Sequence, residues 1–437
     1  MTEQELRQLA EKYLVPSSLL SDIVPANEGP IFARAEGSVI WDVNGKEYLD
    51  FNSGQMCSTL GHNNPRIAGS IKRSLETLVH SSIVYYNVPQ IELAKRIAEI
   101  IDPPLARSIF GQSGADSNEL AVLLARKATG RSGIGALTQG FHGFTDATRA
   151  LSFSAARTGY GPTQPDVFAI PTPYCYRCPH KQEGKGCCMA PLEYGMETLD
   201  KTCPGGPAAV MIEPIVSAGG VIDVPPEYLA GLRKELHERG SLLIYDEAQT
   251  GLGKLGTMFA YQQVGVTPDI MTLSKHLGGG LAVSAVVVSE DVSKRATSGG
   301  LSWGHSHGAD PICCAAGVAS IDEIVEKDLP KRAAAIGAHW QGRMRALQQK
   351  YELIGDIRGR GVLQGIELVR DRRTKDPATA ETDSIYRSCL SSGLLFSVRG
   401  LHKNVLRLVP PFTTTNAQLD RAADILEGAI RKALALR

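Results

Sequence analysis

The chain has 437 residues, a length that suggests two or three domains. Its 46 Lys and Arg balance 46 Asp and Glu, so the formal net charge is zero and no cationic surplus speaks for a nucleic-acid partner. Hydrophobic residues make up 43%, enough for a sizeable core and too many for a disordered chain, and the longest apolar stretches, such as Leu281–Ser289, fall far short of the ~20 residues that a membrane span needs.

Residues 1–25 read as a short amphipathic helix and a linker ending near Pro25. The opening MTEQELRQLAEKYL is charged and has no apolar run of the secretory kind, so a soluble, cytoplasmic protein is expected. In 33–51, SVIWDV alternates, an Asn-Gly turn follows and EYLDF resumes, which predicts a β-hairpin. From about residue 66, helices alternate with short aliphatic runs. Arg107–Phe110, Ile134–Leu137, Ala209–Ile212, Leu242–Tyr245, Ile270–Leu273 and Ala285–Val288 read as strands, and Ile91–Ile101, Asn118–Thr129 and Tyr228–Glu238 as helices. Short β-branched and aliphatic runs bounded by Gly, Pro or Asp predict a mostly parallel sheet with helices on both faces, an α/β architecture. After about residue 315 two long helices, Ala315–Glu326 and Lys331–Lys350, lead into a meander and a closing helix, Asn416–Leu436, an α+β pattern. The expected division is residues 1–65, an N-terminal helix and hairpin; 66–315, a large ligand-binding domain; and 316–437, a small C-terminal domain.

Two segments carry the sharpest chemistry. IYDEAQTG ends an apolar strand in Asp246, and TLSKHLGGG ends another in Ser274-Lys275 followed by glycines. An acid and a lysine then share the carboxyl edge of a parallel sheet, where open α/β sheets bind ligands. A lysine there can form a Schiff base, and a carboxylate there can pair with a pyridinium nitrogen. A third segment, GQSGADSNE, lies between a strand and a helix, so Ser113, Gly114 and Ala115 can cradle a phosphate at a helix N-terminus.

Together with FHG at Phe141–Gly143, IEP at Ile212–Pro214 and YDEAQTGLGKLGTMFA, these motifs resemble the class III, fold-type I pyridoxal-phosphate aminotransferases, from about residue 30 to the C-terminus. Within that family LDFNSGQM, LGHNNP and VLRLVPPFT look like the 2,2-dialkylglycine decarboxylases. The resemblance implies that Lys275 bears the cofactor and shuttles protons, Asp246 holds the pyridine nitrogen, Gln249 lies by the ring oxygen and Phe141 stacks on the ring. It implies that Ser113, Gly114 and Ala115 hold the phosphate, with Ser306 reaching it from the other subunit of a homodimer or dimer of dimers. Arg407 would bind a substrate carboxylate through its planar fork.

Enzymes of this family that act on ω-amino groups carry a Glu that shields this arginine. Ala218 stands at that position here, so a permanent carboxylate site is expected, with Ser217 beside it pointing elsewhere. Gln55 would sit next to the bond that breaks in a decarboxylase. The activity so implied is a decarboxylating transaminase that turns α,α-dialkyl amino acids into CO2 and a ketone, with a 2-oxo acid such as pyruvate as acceptor. The alternatives on the same scaffold are an α-amino acid:2-oxo acid aminotransferase and an amino-acid racemase or epimerase.

The decarboxylases also bind an alkali-metal ion, and Asp310 matches one of its ligands. No metal-ligating residue is assigned here. Five of the nine cysteines, Cys175, Cys178, Cys187, Cys188 and Cys203, crowd into one stretch read as an insertion over 174–203. Their spacing could hold zinc or an iron–sulfur cluster, but the reading preferred is a structural or substrate-gating surface loop with free thiols or a disulfide.

Overall fold

The computed structural model describes residues 1–15, 28–153, 159–178 and 189–435. A seven-stranded sheet lies at its centre. In chain order the strands are β1 (Leu105–Gly111), β2 (Ile134–Leu137), β3 (Val167–Ile170), β4 (Ala209–Ile212), β5 (Leu242–Asp246), β6 (Ile270–Leu273) and β7 (Ser284–Ser289). Their order in space is β1-β7-β6-β5-β4-β2-β3. β7 runs antiparallel to both neighbours, and the remaining pairings are parallel. Sequence reading located six of these strands and missed β3.

The two-residue period of the strands divides the core. Met211, Ile244, Ile270 and Val286 face one side, against Leu120 and Leu124 of helix Gly114–Thr129 and Val292 of helix Glu290–Ser298. Ile212, Tyr245, Met271 and Val287 face the other, where helices Met189–Thr202, Pro226–Glu238 and Pro311–Glu326 supply Met196, Leu232 and Ile321. Each of these side chains is essentially removed from water, worth about 1.5–3 kcal/mol apiece for the aliphatic ones. The sheet is therefore rigid, and its carboxyl edge is a firm platform for loops.

The C-terminal region is α+β as expected. Helix Leu329–Lys350 and helix Asn416–Ala435 accompany an antiparallel sheet built on Ile354–Arg360, Leu363–Asp371, Ser397–Arg399 and Val405–Leu408. The hairpin strands Val39–Asp42 and Glu47–Asp50 form where the Asn-Gly turn placed them, joined by Phe32–Glu36. Leu394–Leu395 adds to this sheet in parallel with Leu49 and Asp50, so the N-terminal segment shares a sheet with the C-terminal region.

The described part of the cysteine-rich stretch contributes to the core. Met189–Thr202 is a helix that sends Leu192, Met196 and Leu199 into the core. Cys203 is buried behind it, and a Cβ on Gly133 would stand 2.4 Å from its sulfur, so this thiol is a packing element. Cys175 is exposed and Cys178 half-buried; Cys187 and Cys188 lie outside the described residues. Among the described residues no cysteine belongs to a metal-ligating group. The preceding turn is pinned by Glu367, which accepts hydrogen bonds from Tyr174 and from Arg177 Nε (2.5 Å) and pairs with Arg358 Nη1 (2.7 Å).

Candidate active site

β5 ends in Asp246, and β6 ends immediately before Ser274-Lys275. β1 ends before Ser113, β2 before Phe141 and His142, and β4 before Glu213. Five strand ends thus deliver the chemistry-bearing residues to one edge, which is the edge that open α/β sheets use.

Asp246 is buried and fully engaged. Its Oδ2 accepts from Asn118 Nδ2 at 2.8 Å and from His142 Nδ1 at 2.9 Å, and its Oδ1 accepts from the Ala248 amide at 3.1 Å. Asn118 is itself oriented by Thr272, whose hydroxyl donates to Asn118 Oδ1 at 2.7 Å. Burial pushes the Asp246 carboxyl up, but the His142 hydrogen bond and the charges of His142 and Lys275 outweigh it, so it sits below the ordinary carboxylate range. A buried carboxylate held ionised is what a protonated ring nitrogen requires of its partner.

Lys275 has φ +56, a left-handed conformation uncommon outside glycine and asparagine. It opens the short turn Lys275–Gly278, and such strain in a cleft marks a position fixed by its surroundings. Burial pulls its ammonium below the ordinary range, against the opposing pull of Asp246. A lysine so shifted spends more time as the free amine, the form that attacks carbonyls and takes up protons.

Ser113 caps helix Gly114–Thr129, accepting from the Asp116 amide at 3.2 Å, while Asp116 accepts from the Ser113 amide at 2.9 Å. The Ser113 amide is therefore spent, and the cradle rests on the Gly114 and Ala115 amides and the Ser113 hydroxyl. A Cβ on Gly114 would stand 3.0 Å from Ser274 Oγ, and that hydroxyl is buried without a partner. A Cβ on Gly143 would meet Ala115 Cβ at 2.7 Å. Gly114 thus leaves room beside the unused Ser274 hydroxyl and Gly143 lets the backbone approach Ala115, and the Gly114 and Ala115 amides with the Ser113 and Ser274 hydroxyls are a donor set that suits a phosphate.

Phe141 is part exposed and meets Phe144 edge to face at 5.0 Å. Its amide donates to Glu213 Oε1 at 3.0 Å. Burial pushes Glu213 up to about 7, although His142 pulls the other way.

Arg407, on strand Val405–Leu408, is fully buried. Its Nε donates to Ser397 Oγ at 3.0 Å, and its Nη1 donates to Ser217 Oγ at 3.2 Å and to Gln249 Oε1 at 3.1 Å. Its Nη2 is buried with no partner. No carboxylate pairs with it among the described residues. The expectation that Ser217 points elsewhere is overturned. Glu213 Oε2 accepts from the Ser217 amide at 3.2 Å, and the Ser217 carbonyl closes the turn to Gly220 and Val221, which aims the hydroxyl at the guanidinium. Gln249, expected by the cofactor ring, accepts from Arg407 Nη1 through Oε1. Burial, with Arg399 nearby, works against the Arg407 charge. A guanidinium does not shed its proton in proteins, so the site holds a buried cation with one unused donor, an arrangement that suits an incoming anion.

Gln55 lies in a run of four left-handed residues, Ser53 to Met56, with φ between 48 and 66. Its Oε1 accepts from Asn52 Nδ2 at 2.9 Å. Ser306 is exposed on the surface of the chain. Sequence reading passed over His142, Asn118 and Glu213; their signals were the middle letter of FHG, the Asn of DSNE and the Glu of IEP.

The model of the class III aminotransferases matches residues 23–430. The chain belongs to that family. It is 37% identical over 409 residues to a leucine/methionine racemase of Thermococcus litoralis, covering 92% of this chain and 90% of that one. It is 33% identical over 426 residues to an acetylornithine aminotransferase of Methanothermobacter thermautotrophicus, covering 98% of each. Among solved structures, the taurine:2-oxoglutarate aminotransferase of Bifidobacterium kashiwanohense, in complex with PLP and glutamate, superposes with a TM-score of 0.90 at 27% identity over 99% of this chain and 98% of that one. The fold is therefore fold-type I and the cofactor is pyridoxal phosphate. No helix among the described residues is long and apolar enough to cross a membrane.

Proposed function

We propose that this class III aminotransferase exchanges amino groups between α-amino acids and 2-oxo acids, with Arg407 as a permanent seat for the substrate carboxylate. The observation that carries this reading is the buried guanidinium with three neutral partners and one unused nitrogen. An acid on Ala218 would pair with Arg407 and hide it; an alanine leaves it open to every incoming carboxylate.

Pyridoxal phosphate, when bound, supplies an electron sink that stabilises negative charge at the substrate Cα. Asp246 keeps the ring nitrogen positive, and His142 and Asn118 keep Asp246 ionised and oriented. The Lys275 amine takes the proton from Cα and returns it, its lowered basicity matching it to that work. Ser113, Gly114 and Ala115 would hold the phosphate, and Phe141 would supply an aromatic surface to the ring. Arg407 would hold the substrate carboxylate and so orient the other substituents of Cα. Gln249, by gripping Arg407, sets where the carboxylate lies.

We also infer a homodimer in which Ser306, from a second copy, completes the phosphate site. Val79, Ile83, Val84, Tyr85, Tyr86 and Val88 are all exposed in one short stretch, a density of apolar surface that a second copy would cover. Sedimentation of the purified chain as a monomer at micromolar concentration would remove this reading.

The test of function is a donor screen of α-amino acids, ω-amines and 2-aminoisobutyrate against pyruvate and 2-oxoglutarate. Transfer from α-amino acids, with ω-amines poor, is expected; a preference for ω-amines overturns the proposal. Racemisation is the second reading, favoured by the likeness to the leucine/methionine racemase. It appears as loss of optical rotation with no 2-oxo acid present. The decarboxylating reading rests on Gln55 and is read from release of CO2 and acetone with 2-aminoisobutyrate; the relatives described above favour its absence.

A further inference from the structure

In the C-terminal sheet Arg358, Gly365, Arg407 and Ser397 form one row across four strands, each opposite the next. Opposite residues in a ladder share a face, so the two arginines flank the glycine on the same side. The loop Ser217–Val221 lies over this row, closing a hairpin in which Ile215–Val216 pairs with Ile222–Asp223. At one end of the loop, Ser217 Oγ accepts from Arg407 Nη1 at 3.2 Å. At the other, Val221 fills the space over Gly365, where a Cβ would stand 2.8 Å from the Val221 Cβ. Val221 is buried at φ +55, a left-handed conformation that a β-branched residue keeps only when its surroundings impose it. Arg358 imposes it. Its Nε donates to the carbonyls of Gly220 at 3.0 Å and Val221 at 3.1 Å, and its Nη2 to the Gly220 carbonyl at 2.6 Å and to Tyr174 Oη at 2.7 Å. Its Nη1 pairs with Asp356 at 2.8 Å and Glu367 at 2.7 Å. Two carboxylates thus neutralise Arg358, whereas Arg407 has none among the described residues. One arginine of the row is committed to the backbone, and the other is kept for a ligand.

We propose that Arg358 is a positioning residue that holds the Ser217–Val221 loop so that Ser217 stays on Arg407, and that it thereby sets the preference for donors bearing an α-carboxylate. The proposal rests on the reading of Arg407 as the carboxylate seat. Ala218, Gly219 and Gly220 join Val221 to Ser217, and two glycines give the loop no stiffness of its own, so its shape comes from outside. Two grips supply it. Glu213, at the end of β4, accepts from the Ser217 amide at 3.2 Å, and Arg358 reaches in from the C-terminal sheet. The Ser217 hydroxyl therefore registers one sheet against the other at the point where the substrate carboxylate would lie. The planar fork is essential to this work. It meets two carbonyls, a phenol and two carboxylates at fixed angles, which a single ammonium does not reproduce.

The experiment compares the parent, R358K, S217A and the double variant as holoenzymes. The donor half-reaction is followed by cofactor absorbance with no 2-oxo acid present, for an α-amino acid and for a primary amine without a carboxylate. Calorimetry reads the binding of butyrate, a carboxylate without an amine. R358K should lose about tenfold with the amino acid and in butyrate affinity, while the amine stays within about twofold. In the S217A background the same substitution should change either quantity by less than about twofold, because Arg358 acts through Ser217. An equal fall for both donors, or an undiminished effect of R358K in S217A, makes Arg358 a purely structural residue and overturns the proposal. R407M separates this from the reading beneath it. If R407M abolishes the amino-acid preference and R358K does not, only the loop argument falls; if neither does, both fall. Where R358K folds poorly, G365A carries the test, since it keeps Arg358 and its pairs and presses a methyl against Val221. It should give the same split between donors, and parental selectivity in G365A overturns the proposal.

Discussion

Replacing Arg407 with methionine (R407M) preserves a long side chain in a fully buried slot and removes the cation. The guanidinium offers a carboxylate its unused Nη2 and an Nη1 now shared between two neutral acceptors at 3.2 and 3.1 Å. Hydrogen bonds to charged groups contribute about 1.5–3 kcal/mol each, so two of them amount to roughly 3–6 kcal/mol, or about 10²–10⁴-fold in kcat/KM. The fold loses a desolvated charge rather than an ion pair, so thermal stability should hold or rise slightly. The assay compares kcat/KM for an α-amino acid and for a primary amine without a carboxylate, both against pyruvate. The amino acid should fall by the stated factor while the amine stays within a few-fold. An equal fall for both donors, or a loss below tenfold for the amino acid, would refute the carboxylate-seat argument.

Further expectations follow from the same geometry. D246N presents an uncharged amide to the ring nitrogen, so kcat should drop at least ~100-fold with the cofactor still bound by absorbance; unchanged turnover contradicts the role given to Asp246. Glu213 is raised from 4.5 to about 7, so its contribution to stability is fully present below about pH 4.5 and is lost as pH rises through about 7. Urea midpoints of the parent should therefore decline relative to E213Q between pH 5 and 8, and parallel curves would count against that burial. Lys254 is buried with His276 Nδ1 as its hydrogen-bond partner at 2.6 Å, and burial drives its ammonium far below the ordinary range. K254M should be neutral or up to about 2 kcal/mol stabilising in thermal melts, and a large loss would show that the amine is needed.

The sheet was legible where strands are central. Ile134–Leu137, Ala209–Ile212 and Ile270–Leu273 are buried throughout, so they carry no charged residue, are mostly apolar, and their bounds read off directly. β3 escaped notice because it is an edge strand with exposed Ala169 and a weak pattern. Helix Met189–Thr202 was hidden by Pro191 and Gly195. The glycine is there because a Cβ would stand 2.8 Å from Ile170 Cγ2, so the helix packs closely on the sheet at the expense of helical propensity. At the site, Asp246 and Lys275 were legible because each follows an aliphatic run. The Ser217 contact was not, because it depends on how a buried carboxylate two residues upstream of Ile215 shapes a turn, which no residue pattern encodes. The left-handed run at Ser53–Met56 likewise has only one glycine to announce it.

The sheet shared by the two ends of the chain bears on how the protein is made. Leu394–Leu395 completes the strand set begun by Glu47–Asp50, and Lys46 Nζ donates to the Ser391 carbonyl across 345 residues of sequence. During synthesis the hairpin leaves the ribosome long before its fourth strand exists. Until then Glu47–Asp50 carries an open edge able to pair with another nascent chain. The pairing closes a loop of 345 residues, so the edge stays unpaired until the C-terminal segment has been made and docked. A chain stopped before residue 394 would keep its central sheet and still expose that edge, so premature termination should yield aggregation rather than a smaller working protein.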